Sequence, residues 1–150
     1  MAVHGVVRAT GDLDLLVVDP RPLAEEFWAT SLNDVQLEIR RADADDPLGG
    51  VVRVGKQTGE CIDVVVGRPS WHRDVLTNAH DTRVLDIDIP VATARDLIAL
   101  KLSAGGPQDA WDIHQLLDVD PNVTDTVDGF IDRLPADARE LWAKLRSERR

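Results

Sequence analysis

The sequence holds a single cysteine, Cys61, which excludes an internal disulfide framework. No stretch approaches the roughly 18 consecutive apolar residues that a membrane helix needs. The opening residues, Met1-Ala-Val-His-Gly-Val-Val-Arg8, carry neither the long apolar run nor the cleavage site of a secretory signal. A cytoplasmic, membrane-free protein is therefore expected. Internal repeats and low-complexity runs are missing as well. Neither Gly-x-Ser-x-Gly nor the phosphate-loop pattern ending in Gly-Lys-Ser/Thr occurs, so serine-hydrolase and phosphate-loop chemistry have no support. The four histidines lack partners at zinc spacing. Asp43, Asp45 and Asp46 lack the glycine and glutamate of a calcium loop and suit a solvated turn.

What the chain has in excess is aspartate. Its 150 residues are 43% hydrophobic and 29% charged, with a formal net charge of −10. There are 21 Asp against 6 Glu, and 14 Arg against 3 Lys. Short Asp side chains favour turns, caps and metal sites over exposed helix faces. The excess lies before Arg133, and the segment from Arg133 to Arg150 is mildly basic. A surface this acidic repels polyanions at long range, which disfavours general DNA binding. The basic tail could contact RNA or simply be a solvated helix.

The length suits one domain over residues 1–150, sheet-rich to about residue 90 and helical beyond it. Leu13 to Val18 forms a buried strand ended by Asp19-Pro20. A helix is expected from Pro22 to Leu32, with Leu23, Phe27 and Leu32 as its inner stripe. Val35 to Arg40 alternates as a half-buried strand. A polar loop over Asp43 to Gly50 precedes a strand at Val51 to Val54, and a turn at Lys56 to Gly59 precedes another at Ile62 to Val66. A short helix is expected over Pro69 to Ala79, then one strand from Thr82 to Ile89 stopped by Pro90. Thr93 caps a helix with Leu97, Ile98, Leu100 and Leu102 on its apolar side. Gly105-Gly106-Pro107 ends it. Further helices follow at Asp109–Leu117, Asp125–Leu134 and Ala136–Arg146. This order predicts an α+β fold, a small mixed or antiparallel sheet flanked by helices and followed by a helical tail. Trp71, Trp111 and Trp142 are expected as core or interface anchors.

The chemistry concentrates in carboxylates. In an extended segment, period 2 puts Arg8, Thr10, Asp12 and Asp14 on one face and Leu13 and Leu15 on the other. Two carboxylates about 7 Å apart along a strand can share divalent metal and repel each other without a cation. Asp63 sits among Ile62, Val64 and Val65, where an unpaired charge would cost several kcal/mol, so it needs a cation or a donor. Three acids on neighbouring strands meet the needs of metal-assisted phosphoryl or nucleotidyl transfer. Asp86 and Asp88, a second Asp-x-Asp, suit a solvated face. Lys101 could snorkel from its helix, and Asp109 and Asp112 complement a helix dipole.

Arg8-Ala-Thr-Gly-Asp12-Leu-Asp14-Leu-Leu-Val, the later Ile-Asp63-Val-Val, and Ala94-Arg-Asp-Leu97-Ile-Ala-Leu-Lys101 together resemble the minimal nucleotidyltransferases, above all the AbiEii-type toxin branch of abortive-infection and toxin–antitoxin systems. Gln108-Asp109-Ala-Trp-Asp112 is similar to the Asp-rich helix that follows the family's lysine helix. The resemblance spans about Val3 to Leu117 and implies the family's fold. It also implies transfer of a nucleotide from an NTP to a tRNA or protein acceptor, with an antitoxin protein as a further partner. Asp12 and Asp14 would then bind Mg²⁺, with Asp63 as third ligand or base. Lys101 would face the triphosphate or the nucleobase, oriented by Asp109 or Asp112, with Arg8 and Thr10 beside the nucleotide. Two departures stand out: the family's opening Gly-Gly or Gly-Ser element is missing, Met1 to Gly5 matching the last turn of the helix after it, and Gly105-Gly106 replaces a basic residue. A non-catalytic nucleotide-sensing or protein-binding module of the same fold is the alternative.

Overall fold

A computed structural model describes residues 1–6, 12–29, 35–55, 61–84 and 86–149, Asp12 by its backbone alone. The chain is an α+β protein with six strands and six α-helices among the described residues. It divides into two compact units, Ala9–Thr77, and Met1–Arg8 with Asn78–Arg150.

The first unit is built on a mixed four-stranded sheet. Its strands are β1 (Asp12–Val17), β2 (Gln36–Arg41), β3 (Leu48–Gly55) and β4 (Cys61–Gly67), in the order β1-β4-β3-β2. β1 runs parallel to β4, and the other two pairings are antiparallel. β-Branched residues fill the central strands, as a pleated and partly buried surface favours. Val52, Val64 and Val66 are buried on one face. On that face Leu13 and Leu15 stay 48% and 41% exposed, so β1 is not the buried strand its composition suggests. β3 begins at Leu48 rather than Val51, because Leu48 and Gly50 pair with Gly67 and Val66 of β4, the register shifting between them. Gly50 has φ 149°, and a Cβ there would lie 2.3 Å from the Arg40 carbonyl oxygen.

The helix expected over 22–32 breaks into a 3-10 turn at Arg21–Leu23 and α1 (Glu25–Trp28), separated by an extended Ala24. Phe27 is exposed, edge-on to Trp28, rather than part of an inner stripe. Leu32 and the turn at 56–59 lie outside the described residues. The loop before β3 is pinned by Arg68, whose Nη1 donates to the carbonyls of Asp43, Ala44 and Asp46. α2 (Ser70–Asn78) buries Trp71, His72 and Val75. Burial pushes the His72 imidazole down to about 4, so it is neutral in the fold.

The second unit opens with a 3-10 turn at Ala2–His4, whose His4 Nε2 lies 2.8 Å from the Ala92 carbonyl oxygen. The single strand expected over 82–89 is a hairpin, β5 (His80–Val84) and β6 (Ile87–Val91). Asp86 lies in its turn, which short polar side chains favour. Pro90 does not stop β6 but pairs with Asp81 inside it, tolerated because each strand of a two-stranded ribbon is an edge. Asp86 and Asp88 are both exposed.

Helices α3 (Ala94–Ala104), α4 (Pro107–Val119), α5 (Val123–Asp128) and α6 (Ala136–Glu148) complete this unit, with α3 packed on the other three. Ile98, Leu102, Ile113, Leu117, Val127 and Trp142 form its core. The predicted helix over 125–134 is split at Gly129 into α5 and a 3-10 turn, consistent with glycine's low helix propensity. Trp71 and Trp142 are buried as expected, whereas Trp111 is 47% exposed on the outer side of α4. Two of the tail's cations form surface ion pairs, Arg146 with Asp128 and Arg149 with Asp118. Burial alone would raise the Asp128 carboxyl, but hydrogen bonds from Arg146 and Trp142 hold it below the usual carboxylate range.

Candidate functional site

Two charged clusters contain the candidate residues, one in each unit. In the sheet unit the register draws a row of ionisable residues across all four strands. Asp14 on β1 is level with Asp63 on β4, Asp63 with Arg53 on β3, and Arg53 with Glu38 on β2. Laterally paired residues share a face, so this row lies opposite the buried valines. Asp14 is exposed, and the Asp63 side chain is 19% exposed.

Arg53 is the donor that Asp63 requires. Its Nε donates to Oδ1 and its Nη2 to Oδ2, both at 2.8 Å. Such a two-pronged contact is among the stronger charge-assisted geometries. Glu38 is engaged elsewhere, accepting from Arg40 at 2.7 Å. The signal for Arg53 was the same as for Asp63: a lone charge in an apolar strand, here Val51-Val52-Arg53-Val54.

Asp12 occupies the register position opposite Cys61, two residues before Asp14. Arg8 and Thr10 lie outside the described residues. Among the described residues, no three His, Cys, Asp or Glu side chains form a metal-binding group. Asp14 and Asp63 nonetheless supply hard oxygen donors side by side on adjacent strands, the donor type that Mg²⁺ takes.

In the helical unit the Gly-Gly-Pro turn brings Lys101 against Asp109 and Asp112. Thr93 caps α3, its hydroxyl oxygen accepting from the Asp96 N–H. Gly105 ends α3 in the left-handed conformation at φ 69°, its N–H donating to the Lys101 carbonyl. Pro107 then opens α4, a position suited to its fixed φ and missing N–H. Lys101 Nζ lies 2.5 Å from Asp112 Oδ2 and 3.2 Å from Asp109 Oδ1. The second Asp109 oxygen accepts from the Gly106 N–H at 3.1 Å. Asp112 is fully buried and the Lys101 side chain only 14% exposed. The lysine therefore does not snorkel into water; it neutralises a buried carboxylate, and Asp109 both braces it and closes the helix start.

Compared with known proteins, the chain matches no family model, and no curated protein matches it. Among the described residues no helix is long and apolar enough to cross a membrane.

Proposed function

We propose that the protein is a nucleotidyltransferase-like protein of the toxin–antitoxin kind, acting with Mg²⁺ on an NTP. The observation that carries this reading is the placement of Asp14 level with Asp63 on adjacent parallel strands, on the face opposite the core. In the reaction, an acceptor hydroxyl oxygen on tRNA or protein bonds to the α-phosphorus. The bond from that phosphorus to its bridging oxygen breaks, and pyrophosphate leaves. Asp63 is assigned to accept the hydroxyl proton, with Arg53 holding its carboxylate in orientation. Asp12 and Asp14 are the assigned holders of Mg²⁺, which when bound offsets the charge on the phosphates. Lys101 is assigned to the nucleotide, with Asp109 and Asp112 orienting its ammonium.

The test is transfer of label from NTPs carrying a labelled α-phosphate to total tRNA or to a protein fraction. Transfer should require Mg²⁺ and be lost in Asp12→Asn and Asp63→Asn. Transfer that persists in both variants would refute the site.

A second reading has its own observation. Both oxygens of Asp63 are already held by Arg53, which suits a non-catalytic module that senses nucleotide or binds a protein partner. It predicts NTP binding, or capture of an antitoxin-like protein, with no transfer of label under any condition.

A further inference from the structure

The β5–β6 hairpin pairs with no other strand among the described residues, and a lone two-stranded ribbon is marginally stable in water. Its two outer edges differ. Pro90 has no N–H to exchange, so its pairing with Asp81 is of the class whose backbone groups point away from the facing strand. The outer edge of β6 therefore lacks a donor at Pro90, which protects it from a further strand. On β5 the alternation of antiparallel pairs turns the N–H and C=O of both Asp81 and Arg83 outward. That edge keeps its donors as well as its acceptors. Asp81 and Arg83 are exposed on one face of β5, with Thr82 and Val84 on the other. Arg83 meets Asp88 across the hairpin, whereas Asp81 faces Pro90 and has no ion pair among the described residues.

We propose that β5 is a self-association edge, which takes β5 of a second copy of this chain in antiparallel pairing about Thr82. Outward groups must face outward groups, and the registers that engage most of this five-residue strand are centred on Asp81, Thr82 or Arg83. Those centred on Asp81 or Arg83 set like charges directly opposite, and the one centred on Thr82 does not. It places each Asp81 opposite Arg83 of the other copy, exchanging both backbone hydrogen bonds, with Thr82 opposite Thr82. Opposite charges and facing threonines are both favourable cross-strand neighbours. Arg83 then lies between Asp88 of its own hairpin and Asp81 of the second copy. The contact is isologous and closes two hairpins into one four-stranded sheet, β6-β5-β5-β6. It lies in the helical unit, so it goes beyond the nucleotide chemistry assigned to the sheet row without depending on it.

The test is sedimentation equilibrium on the full chain from micromolar to near-millimolar concentration, since pairing through one short edge strand is weak. The parent protein should show a reversible monomer–dimer equilibrium within that range. Asp81→Arg sets like charges opposite each other twice across the axis and disturbs no ion pair inside the hairpin. It should weaken the dimer at least about tenfold. Asp81→Pro removes the outward N–H and should abolish the dimer, repeating on β5 what Pro90 does on β6. The triple variant Asp81→Arg/Arg83→Asp/Asp88→Arg reverses every charge in the row and keeps opposite signs facing within and between hairpins. It should restore the parent's affinity to within about threefold, a rescue that a misfolded variant would not show. A parent that stays monomeric throughout would overturn the proposal, leaving the β5 edge to an extended segment of another protein. An Asp81→Arg dimer as tight as the parent's, or no rescue in the triple variant, would overturn it as well.

Discussion

The two units treat the same problem, an acidic side chain in apolar surroundings, in opposite ways. In the helical unit Asp112 is fully buried, and a lysine from the preceding helix is brought to 2.5 Å of it by a rigid Gly-Gly-Pro turn. In the sheet unit Asp63 remains near the surface, held by an arginine that is itself partly in water. A buried pair is costly to break because one uncompensated charge is left inside. A partly solvated pair contributes little to stability, since water screens what is lost. The first arrangement fixes architecture, and the second leaves a charged row in partial contact with water. Candidate chemistry therefore belongs with the sheet row, while the lysine cluster also holds two helices together.

The largest expected effect breaks the buried cluster. Lys101→Met should destabilise the protein by about 3–5 kcal/mol in urea unfolding, because the fully buried Asp112 would lose the ammonium that lies against it. A loss below 1 kcal/mol would mean that the cluster is not structural.

Next in size is a pH effect from the neutral, buried His72. Its folded pKa is lowered to about 4 from an ordinary 6.5, so the unfolded chain binds the proton more readily. Stability is then complete above pH 6.5 and declines as pH falls towards 4, by about 3 kcal/mol in all. His4, also lowered chiefly by burial, adds to the same slope. Unfolding curves between pH 7 and 4 should show this decline, and His72→Leu should flatten most of it.

Thr93→Ala removes the cap of α3 and should cost about 1 kcal/mol, read as a drop in the unfolding midpoint. The smallest effect sharpens the contrast between the units: Arg53→Gln should change stability by less than about 1 kcal/mol. If Arg53→Gln cost as much as Lys101→Met, the distinction between a partly solvated pair and a buried one would collapse.

Much of this was legible in the sequence where a local signal had one physical meaning. Thr93 as a cap, Gly105-Gly106-Pro107 as a break, and the strands around Leu15, Ile39, Val52 and Val64 all follow from periodicity and turn chemistry. Asp63 declared its need for a donor by its apolar neighbours. The misses share a cause, in that the deciding contact is not local. Phe27 and Trp111 are apolar yet exposed, and nothing in their own windows separates them from the buried Trp71 and Trp142. The hairpin at 80–91 was hidden because Asp86 lies between two short runs that read as one strand. Pairing register, which sets Asp14 beside Asp63 and Arg53 beyond it, is a property of the sheet and not of any one strand.

The most direct measurement is calorimetric titration of each NTP with and without Mg²⁺, comparing the parent protein with Asp14→Asn/Asp63→Asn. The account predicts Mg²⁺-dependent binding of at least one NTP that disappears in the double variant. Binding that the double variant retains, or no binding of any NTP, would contradict it.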